Sequence, residues 1–191
     1  MMTAAKIHEK YGATVGIFRM DVGSSGYPTF HYVLRWDSGS DLENTKEANS
    51  SEERQAFWAQ ASQAPSGTLL WSMEAPNWND LAKAADFEKY GPYRVCVWQP
   101  NARKAAAVSA SFTQAAKMHT AMGAKINIYQ EGVGGNGKVH SVMSFKDWKD
   151  MADFVDKVIA SEEFRFLQAT AAGAATPIGS IQGELLYYTG R

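Results

Sequence analysis

The sequence predicts an α+β fold in which two copies of one split β-α-β unit follow each other along the chain. Three observations support this prediction. Matching segments recur in the second half in the same order as in the first. The second half contains a full β-α-β-β-α-β series. The first half follows the same series from its first helix onward. We therefore expect the first unit to lack its opening strand.

The repeat is clearest at the end of the first helix. The run Ala4 to His8 (AAKIH) recurs as Ala115 to His119 (AAKMH), and each run is soon followed by Gly-Ala. Further along, His31 matches His140, and residues 67–70 match residues 183–186. The order of the matches never breaks. Repeats of this kind decide the fold, so we interpret the chain as a tandem duplication.

The second copy contains every element of the unit. Strands are expected where β-branched and aromatic residues alternate or cluster between turn residues, and helices where apolar residues recur every three to four positions. In chain order, these elements are the strand Tyr93 to Gln99, the helix Ala105 to Met122, the strands Ala124 to Glu131 and His140 to Phe145, a helix capped by Asp147, a further turn from Ser161, and the strand Gly183 to Thr189. This is the order of a ferredoxin-like unit, whose helices cover one face of an antiparallel sheet.

The first copy contains the same elements without the opening strand. They are the strands Ala13 to Asp21, His31 to Trp36 and Thr68 to Met73, with a broken helix over Asp41 to Glu47 and Ser51 to Ser62. The expected domains are an incomplete unit at 1–74, a helical linker at 75–92 and a complete unit at 93–191. In the linker, Asn79 or Asp80 can cap a short helix that includes Leu81 and Phe87. Another segment, a neighbouring chain or lost residues could fill the place of the missing strand.

One segment resembles a known family. Trp148 to Phe154 (WKDMADF), followed by Ser161 to Phe164 (SEEF), is similar to the second helix of the dimeric α-β barrel superfamily, which includes antibiotic-biosynthesis-type monooxygenases and NIPSNAP-like proteins. The resemblance covers most of Tyr93 to Thr189 and, more weakly, Ala4 to Met73. It implies that the two antiparallel sheets pack as an α-β barrel. It implies no single activity, because the superfamily includes cofactor-free oxygenases, isomerases and haem enzymes.

Composition excludes several kinds of partner. The formal net charge is -1 with basic residues scattered, so no basic stripe is available for nucleic acid. No apolar run is long enough to span a bilayer, and no signal peptide is evident, so the cytoplasm is the expected compartment. Cys96 is the single cysteine, which rules out a disulfide within the chain and a cysteine-rich metal site. We expect no metal and no cofactor. The expected partners are a small-molecule ligand and a second copy of the chain, as a homodimer.

The four histidines are the strongest functional signal, because each has a repeat partner. His31 and His140 lie on expected strands and are the candidate catalytic residues. His8 and His119 lie at helix ends and are candidate ligand-binding residues. One interpretation is two equivalent sites, each joining a helix histidine and a strand histidine for acid–base chemistry. The alternative is retained packing, with the helix histidines placed at the negative end of the helix dipole.

Arginine and aromatic side chains on the strands complete the candidate set, which consists of Arg35, Trp36, Trp98 and Tyr129. Aromatic residues line apolar pockets and orient flat ligands, although they also fill the space between packed sheets. An arginine in a strand can hold a carboxylate or reach solvent. We expect a pocket between sheet and helices in each unit. The glycine-rich segments at Gly23 to Gly26 and Gly132 to Gly137 connect strand to strand, which predicts hairpin turns rather than phosphate-binding loops.

Three functions stay open at this point. The first is a cofactor-independent monooxygenase-like or isomerase-like enzyme that acts on a small aromatic or polyketide-like molecule. The second is a non-catalytic ligand-binding or assembly module, since no sharp catalytic motif is present. The third is haem binding through His119 or His140.

Overall fold

A computed structural model describes residues 1–23, 26–38, 42–63, 67–78, 83–87 and 89–189. The helices are α1 (Met2–Lys10), α2 (Leu42–Ser50), α3 (Glu52–Gln63), α4 (Ala105–Ala121), α5 (Trp148–Ala160) and α6 (Glu162–Thr170), with a 3-10 helix at Ala84–Phe87. The strands are β1 (Thr14–Gly23), β2 (Phe30–Arg35), β3 (Pro92–Pro100), β4 (Lys125–Gln130), β5 (Val139–Ser144) and β6 (Ala175–Tyr188). Several expected features involve positions outside the described residues: Ser24 and Ser25 of the first glycine-rich turn, Asp41 at the start of the expected broken helix, the cap candidates Asn79 and Asp80, and Leu81 of the linker helix.

The six strands form one antiparallel sheet in the order β2-β1-β6-β3-β5-β4. The sheet curls into a half-barrel, which confirms the predicted α+β fold class. Alternation along the strands separates two faces. Helices α4 and α5 pack on the convex face, whereas a second cluster of apolar side chains fills part of the concave face. The candidate site depends on the concave face.

The order β6-β3-β5-β4 is that of a split β-α-β unit, and the β1–β2 hairpin extends this sheet through β6. In the β1–β2 hairpin, Phe18 lies opposite His31, and in the β4–β5 hairpin, Tyr129 lies opposite His140. In the repeat, Phe18 corresponds to Tyr129, and His31 corresponds to His140. This register supports the duplication, which stays an interpretation of the sequence together with the domain bounds at residues 74 and 93.

Strand β6 is longer than expected and joins the two halves of the sheet. It begins at Ala175 rather than at Gly183, because residues 175–184 pair with β3 while residues 181–188 pair with β1. Gly183 has Met20 as its partner on one side and Tyr93 on the other. A single strand of the second unit therefore holds the first unit in place.

The expected strand Thr68 to Met73 is wrong: this segment has no strand structure, and the Leu69 side chain is 78% exposed. The chain lies along the edge of β4 only afterwards. There the Trp78 amide donates to the Ile128 carbonyl at 2.8 Å, and the Gly132 amide donates to the Glu74 carbonyl at 2.8 Å. Beyond Gly132 the β4–β5 hairpin turns away, so the preceding residues have no further strand edge to pair with.

The segment between the two units contributes to the concave face. Phe87, on the 3-10 helix, is only 1% exposed and packs with the cluster that includes Phe18 and Tyr93. The Tyr188 hydroxyl donates a hydrogen bond to the Ala84 carbonyl and fixes this helix in place. Burial raises the pKa of Tyr188 to about 12, so the hydroxyl keeps its proton at neutral pH. The segment thus fills one end of the half-barrel and leaves the other end open.

Local signals set the helix ends in the second unit. The Asp147 carboxylate accepts from the Asp150 amide at 2.8 Å, and the Ser161 hydroxyl accepts from the Phe164 amide at 3.0 Å, as expected for N-caps. Gly123 ends α4 with a φ of 110°, a backbone conformation that favours glycine. None of the described helices has both the length and the apolarity needed to cross a membrane.

Candidate functional site

Four of the expected site residues come together on the concave face of the sheet. On β2, His31 and Arg35 alternate with residues whose side chains pack under the helices. On β5, His140 likewise alternates with residues that pack under the helices. Tyr129 on β4 lies opposite His140 in the register. The strand histidines therefore face the interior of the half-barrel.

A pocket of about 270 Å³ opens at the end of the concave face that the 3-10 helix leaves free. Turns and strand ends of both units form its walls, and the lining residues are Gly26, Tyr27, Trp71, Met73, Val97, Glu131, Gly134, Gly135, Asn136, Lys138, His140 and Ile178. In the second unit a packed apolar cluster that includes Val108 and Phe154 fills the layer between sheet and helices, so the pocket lies on the other face of the sheet rather than in that layer, where it was expected.

A carboxylate–imidazole pair lies in the pocket wall. His140 Nε2 is 2.8 Å from Glu131 Oε1, and the two side chains are only 14% and 7% exposed. The other carboxylate oxygen, Oε2, accepts from the backbone amides of Asn136 at 2.7 Å and Lys138 at 3.4 Å. A Cβ at Gly135 would lie 2.4 Å from the Glu131 Cβ, so the glycine-rich hairpin is needed to fold around this side chain.

These contacts keep Glu131 ionised. Burial acts to raise its pKa, but the hydrogen bonds from Asn136, His140 and Lys138 outweigh burial and leave the pKa below its usual value. An ionised carboxylate only accepts hydrogen bonds, so the proton of a neutral His140 lies on Nε2. The Nδ1 lone pair is then the basic nitrogen of His140. A carboxylate that orients a histidine in this way also stabilises its protonated form.

His31 lacks an equivalent partner. Its Nε2 atom is buried without a hydrogen bond in the part of the chain that the structure describes. Burial and the nearby His140 lower the pKa of His31, so its imidazole is neutral at pH 7. The repeat places Met20 where the second unit has Glu131. The two strand histidines are therefore chemically different, although they occupy matching positions.

Arg35 and Tyr129 form a second polar group on the concave face, beside the pocket. Arg35 Nη1 donates to the Tyr129 hydroxyl at 2.8 Å, and the Asn127 amide donates to the same hydroxyl at 2.9 Å. The Arg35 guanidinium also lies 4.1 Å from the centre of the Phe87 ring. These contacts connect β2 to β4 across the open side of the half-barrel, where no strand lies between them in the described residues.

The helix histidines lie under the helices, on the other face of the sheet. His8 Nδ1 lies 2.8 Å from the Tyr32 hydroxyl and 3.0 Å from the Ala4 carbonyl oxygen, and burial lowers the His8 pKa. His119 lies between the rings of Phe154 and Phe164, with centroid distances of 5.3 and 4.8 Å. The structure therefore does not bring a helix histidine together with a strand histidine.

The remaining two tryptophans of the expected set also lie outside the pocket lining. Trp98 packs edge-on against Phe112 of α4, with ring centroids 5.9 Å apart. The Trp36 indole nitrogen is buried without a hydrogen-bond partner among the described residues. The aromatic side chains that do line the pocket are Tyr27 and Trp71, which contact each other edge-on at 5.9 Å.

The buried His119 predicts a loss of stability in mild acid. Burial lowers its pKa to about 4, whereas the unfolded chain binds the proton near 6.5. The unfolded state thus gains a proton first, and the free energy of unfolding falls as the pH drops from 6.5 towards 4. Between pH 7.5 and 5.0, denaturant unfolding should show a loss of about 2 kcal/mol from this residue.

The His119→Leu variant serves as the control, because neither ring nitrogen of His119 has a hydrogen bond in the described residues. Between pH 7.5 and 5.0, the free energy of unfolding of this variant should fall by about 2 kcal/mol less than that of the wild type. His8 and His31 add a smaller dependence of the same sign, which should persist. An equal pH dependence in both proteins would contradict the role given to His119.

Glu131, Lys138, Tyr27 and Trp71 were not expected site residues. Glu131 alone had a signal in the sequence, since it ends a predicted strand and precedes the hairpin that returns to His140. A short hairpin brings such positions side by side. Tyr27, Trp71 and Lys138 lie on turns or on irregular chain, where no periodic pattern predicts the direction of a side chain. Among the described residues, no cluster of His, Cys, Asp and Glu is placed to hold a metal ion.

No protein-family model and no curated protein sequence matches the chain. Several solved structures resemble it, among them two candidate monooxygenases. A candidate monooxygenase from Fusobacterium nucleatum has a TM-score of 0.61 at 10% identity, covering 98% of this chain and 87% of that one. A candidate monooxygenase from Lactobacillus acidophilus has a TM-score of 0.59 at 8% identity, covering 97% and 86%. At these identities the likeness shows the fold alone.

Proposed function

We propose that the protein is a monooxygenase-like, cofactor-independent enzyme that binds a small phenol or enol and removes its hydroxyl proton. The observation that carries the proposal is the Glu131–His140 pair in the wall of an open pocket. A histidine oriented by a buried carboxylate is the common arrangement of a general base. The two structural neighbours, which are candidate monooxygenases of the same fold, agree with this class of activity.

The proposed step conserves charge within the pocket. Before the transfer, Glu131 is negative, while His140 and the ligand hydroxyl are neutral. The hydroxyl proton then passes to His140 Nδ1, giving an imidazolium beside the carboxylate and an oxyanion on the ligand. The imidazolium–carboxylate pair offsets the cost of the new charge in a site of low polarity. The electron-rich anion is the form that reacts in oxygenation and in isomerisation.

The pocket walls suit a flat, single-ring ligand. Tyr27 and Trp71 on one side, with Val97 and Ile178 on the strands, provide an apolar surface. The volume of about 270 Å³ lies just below the range of about 300–1,000 Å³ that is typical of small-molecule pockets. A small aromatic ring fits this description better than an extended polycyclic molecule does.

Haem binding does not fit the residues present. His140 Nε2 already contacts Glu131, and His119 lies between two phenylalanine rings beneath the helices, away from the pocket. A haem titration should therefore leave the Soret band of free haem unchanged. A shifted Soret band that is lost in His140→Ala would contradict this view.

A panel of phenols and quinones tests the proposed function. At least one phenol should raise the melting temperature, because a ligand that binds only the folded state stabilises it. Turnover should follow for the same compound. Oxygen uptake distinguishes oxygenation from isomerisation, which consumes no oxygen. The His31→Ala variant should keep binding and lose much less in kcat than the roughly hundredfold or more that removal of a general base costs, because His31 lies near His140 but has no carboxylate partner among the described residues.

Two outcomes would change the assignment. If compounds bind but none is turned over, the protein is a ligand-binding module rather than an enzyme. If no phenol or quinone binds, the proposal is wrong. The homodimer and the absence of a nucleic-acid partner stay predictions, which sedimentation and a DNA-binding assay would test.

A further inference from the structure

Lys138 contributes a positive charge to the lining of the pocket. It lies on the β4–β5 hairpin, half-buried and within the pocket lining. Its backbone amide binds Glu131, but within the described part of the chain its ammonium group has no carboxylate at ion-pair distance. Both oxygens of Glu131 are already engaged, by His140 and by two backbone amides. An anionic group on a ligand would supply the counter-charge that is lacking.

The mouth of the pocket is apolar. Trp71 and Ile178 line the pocket and are also 42% and 45% exposed, so they lie where the pocket meets solvent. Val133 is 74% exposed and adjoins the lining residue Gly134. The Val133 carbonyl accepts from the Glu74 amide at 2.9 Å, which holds this hairpin against the segment that carries Trp71. We call Trp71, Val133 and Ile178 the apolar rim.

The small volume of the pocket relates Lys138 in its lining to the apolar rim at its mouth. The interior of about 270 Å³ accommodates little more than one substituted ring. Any larger ligand must project through the mouth, and the mouth presents apolar side chains there. Exposed apolar groups next to a pocket typically mark a surface that a ligand or partner covers.

We infer that Lys138 and the apolar rim determine which ligand is selected: a phenol or enol, held as its oxyanion beside Lys138, with an apolar substituent that leaves the pocket across the rim. This inference rests on the proposed function, since the anion beside Lys138 is the product of proton transfer to His140. With Lys138 included, the pocket is neutral overall before and after the transfer. Lys138 thus stabilises the anion, while the rim selects for the substituent.

The lysine is tested with 4-nitrophenol, whose anion is coloured. In the wild-type protein, the phenolate band of the bound probe should persist at a lower pH than in water. The Lys138→Gln variant should lose this shift and bind the probe about tenfold more weakly. Lys117→Gln, which removes an exposed lysine on α4, is the matched control and should behave as the wild type does. Unchanged binding and an unchanged band shift in Lys138→Gln would overturn the inference.

The rim is tested with 4-nitrophenols that carry straight alkyl chains of increasing length. Affinity should rise about two- to threefold per methylene, because the rim covers one side of the chain and full burial gives somewhat more. Ile178→Ser and Val133→Ser should reduce this increment. Ile159→Ser removes a 67% exposed apolar side chain from α5, away from the pocket, and should leave the increment unchanged. An affinity that does not depend on chain length would also overturn the inference.

The two proposals can fail separately. If binding depends on Lys138 and on chain length while no compound is turned over, the ligand assignment stands and the enzymatic function fails. If turnover depends on His140 while Lys138→Gln and the rim variants change nothing, the enzymatic function stands and this inference fails.

Discussion

Replacing His140 by alanine should lower kcat/KM by about a hundred- to ten-thousandfold for any phenol that the protein turns over, which is the usual contribution of a general base. Binding should weaken much less, because the apolar walls around Tyr27 and Val97 remain. Steady-state kinetics at pH 7 measure the first effect, and the ligand-induced rise in melting temperature measures the second. A matching loss of both would indicate that His140 acts in binding alone.

Glu131→Gln separates a positioning role from a structural one. The change preserves size but removes the charge that stabilises the imidazolium, so kcat/KM should fall by about ten- to a hundredfold. The acid limb of the pH–rate profile should also change, because Glu131 no longer places a negative charge 2.8 Å from His140 Nε2. Glu184→Gln, at a carboxylate that is 42% exposed and pairs with Arg19, is the control and should leave the profile in place. A reduced rate with an unmoved profile would leave Glu131 a structural role only.

Periodic sequence patterns predicted the helices and most strands, because burial of one face imposes a regular spacing of apolar residues. The errors lie where pairing depends on the whole sheet. Residues 67–70 match residues 183–186 in sequence, yet only the second segment forms part of a strand. The available strand partners account for the difference. Strand β6 lies between two strands, whereas β4 ends before it can pair with residues 68–73. No local pattern encodes that difference.

The site was only partly predictable for a related reason. His31 and His140 lie on regular strands, so alternation predicts their side-chain direction. The repeat suggested that they were equivalent, but Met20 and Glu131 occupy matching positions and give the two histidines different chemistry. The tight fold of the glycine-rich hairpin around Glu131 depends on Gly135, which the sequence marked only as a turn. The matching positions of the two histidines therefore predicted which face of the sheet they share, but not their different chemistry.

Gly183→Ala should be the most destabilising single substitution that the backbone geometry indicates. A Cβ at this position would lie 1.9 Å from the Arg19 carbonyl oxygen and 2.9 Å from the Met20 Cα. Both are backbone atoms of β1, so no side-chain rotation relieves the clash. Strand β6 cannot shift away either, because Gly183 also pairs with Tyr93 of β3. We expect a loss of more than about 4 kcal/mol, measured by urea unfolding or, if the variant is insoluble, by the soluble fraction.

Gly67→Ala is the matched control, because the repeat pairs Gly67 with Gly183. An added Cβ at Gly67 meets no atom of the described residues within 4 Å, and the substitution restricts the unfolded chain, so the free energy of unfolding should stay level or rise by up to about 1 kcal/mol. If the two copies folded equivalently, the two substitutions would have similar effects. A large difference supports a sheet in which β6 pairs with strands of both units. Equal effects would contradict the β1–β6 pairing, which places the β1–β2 hairpin that carries Tyr27 beside the pocket.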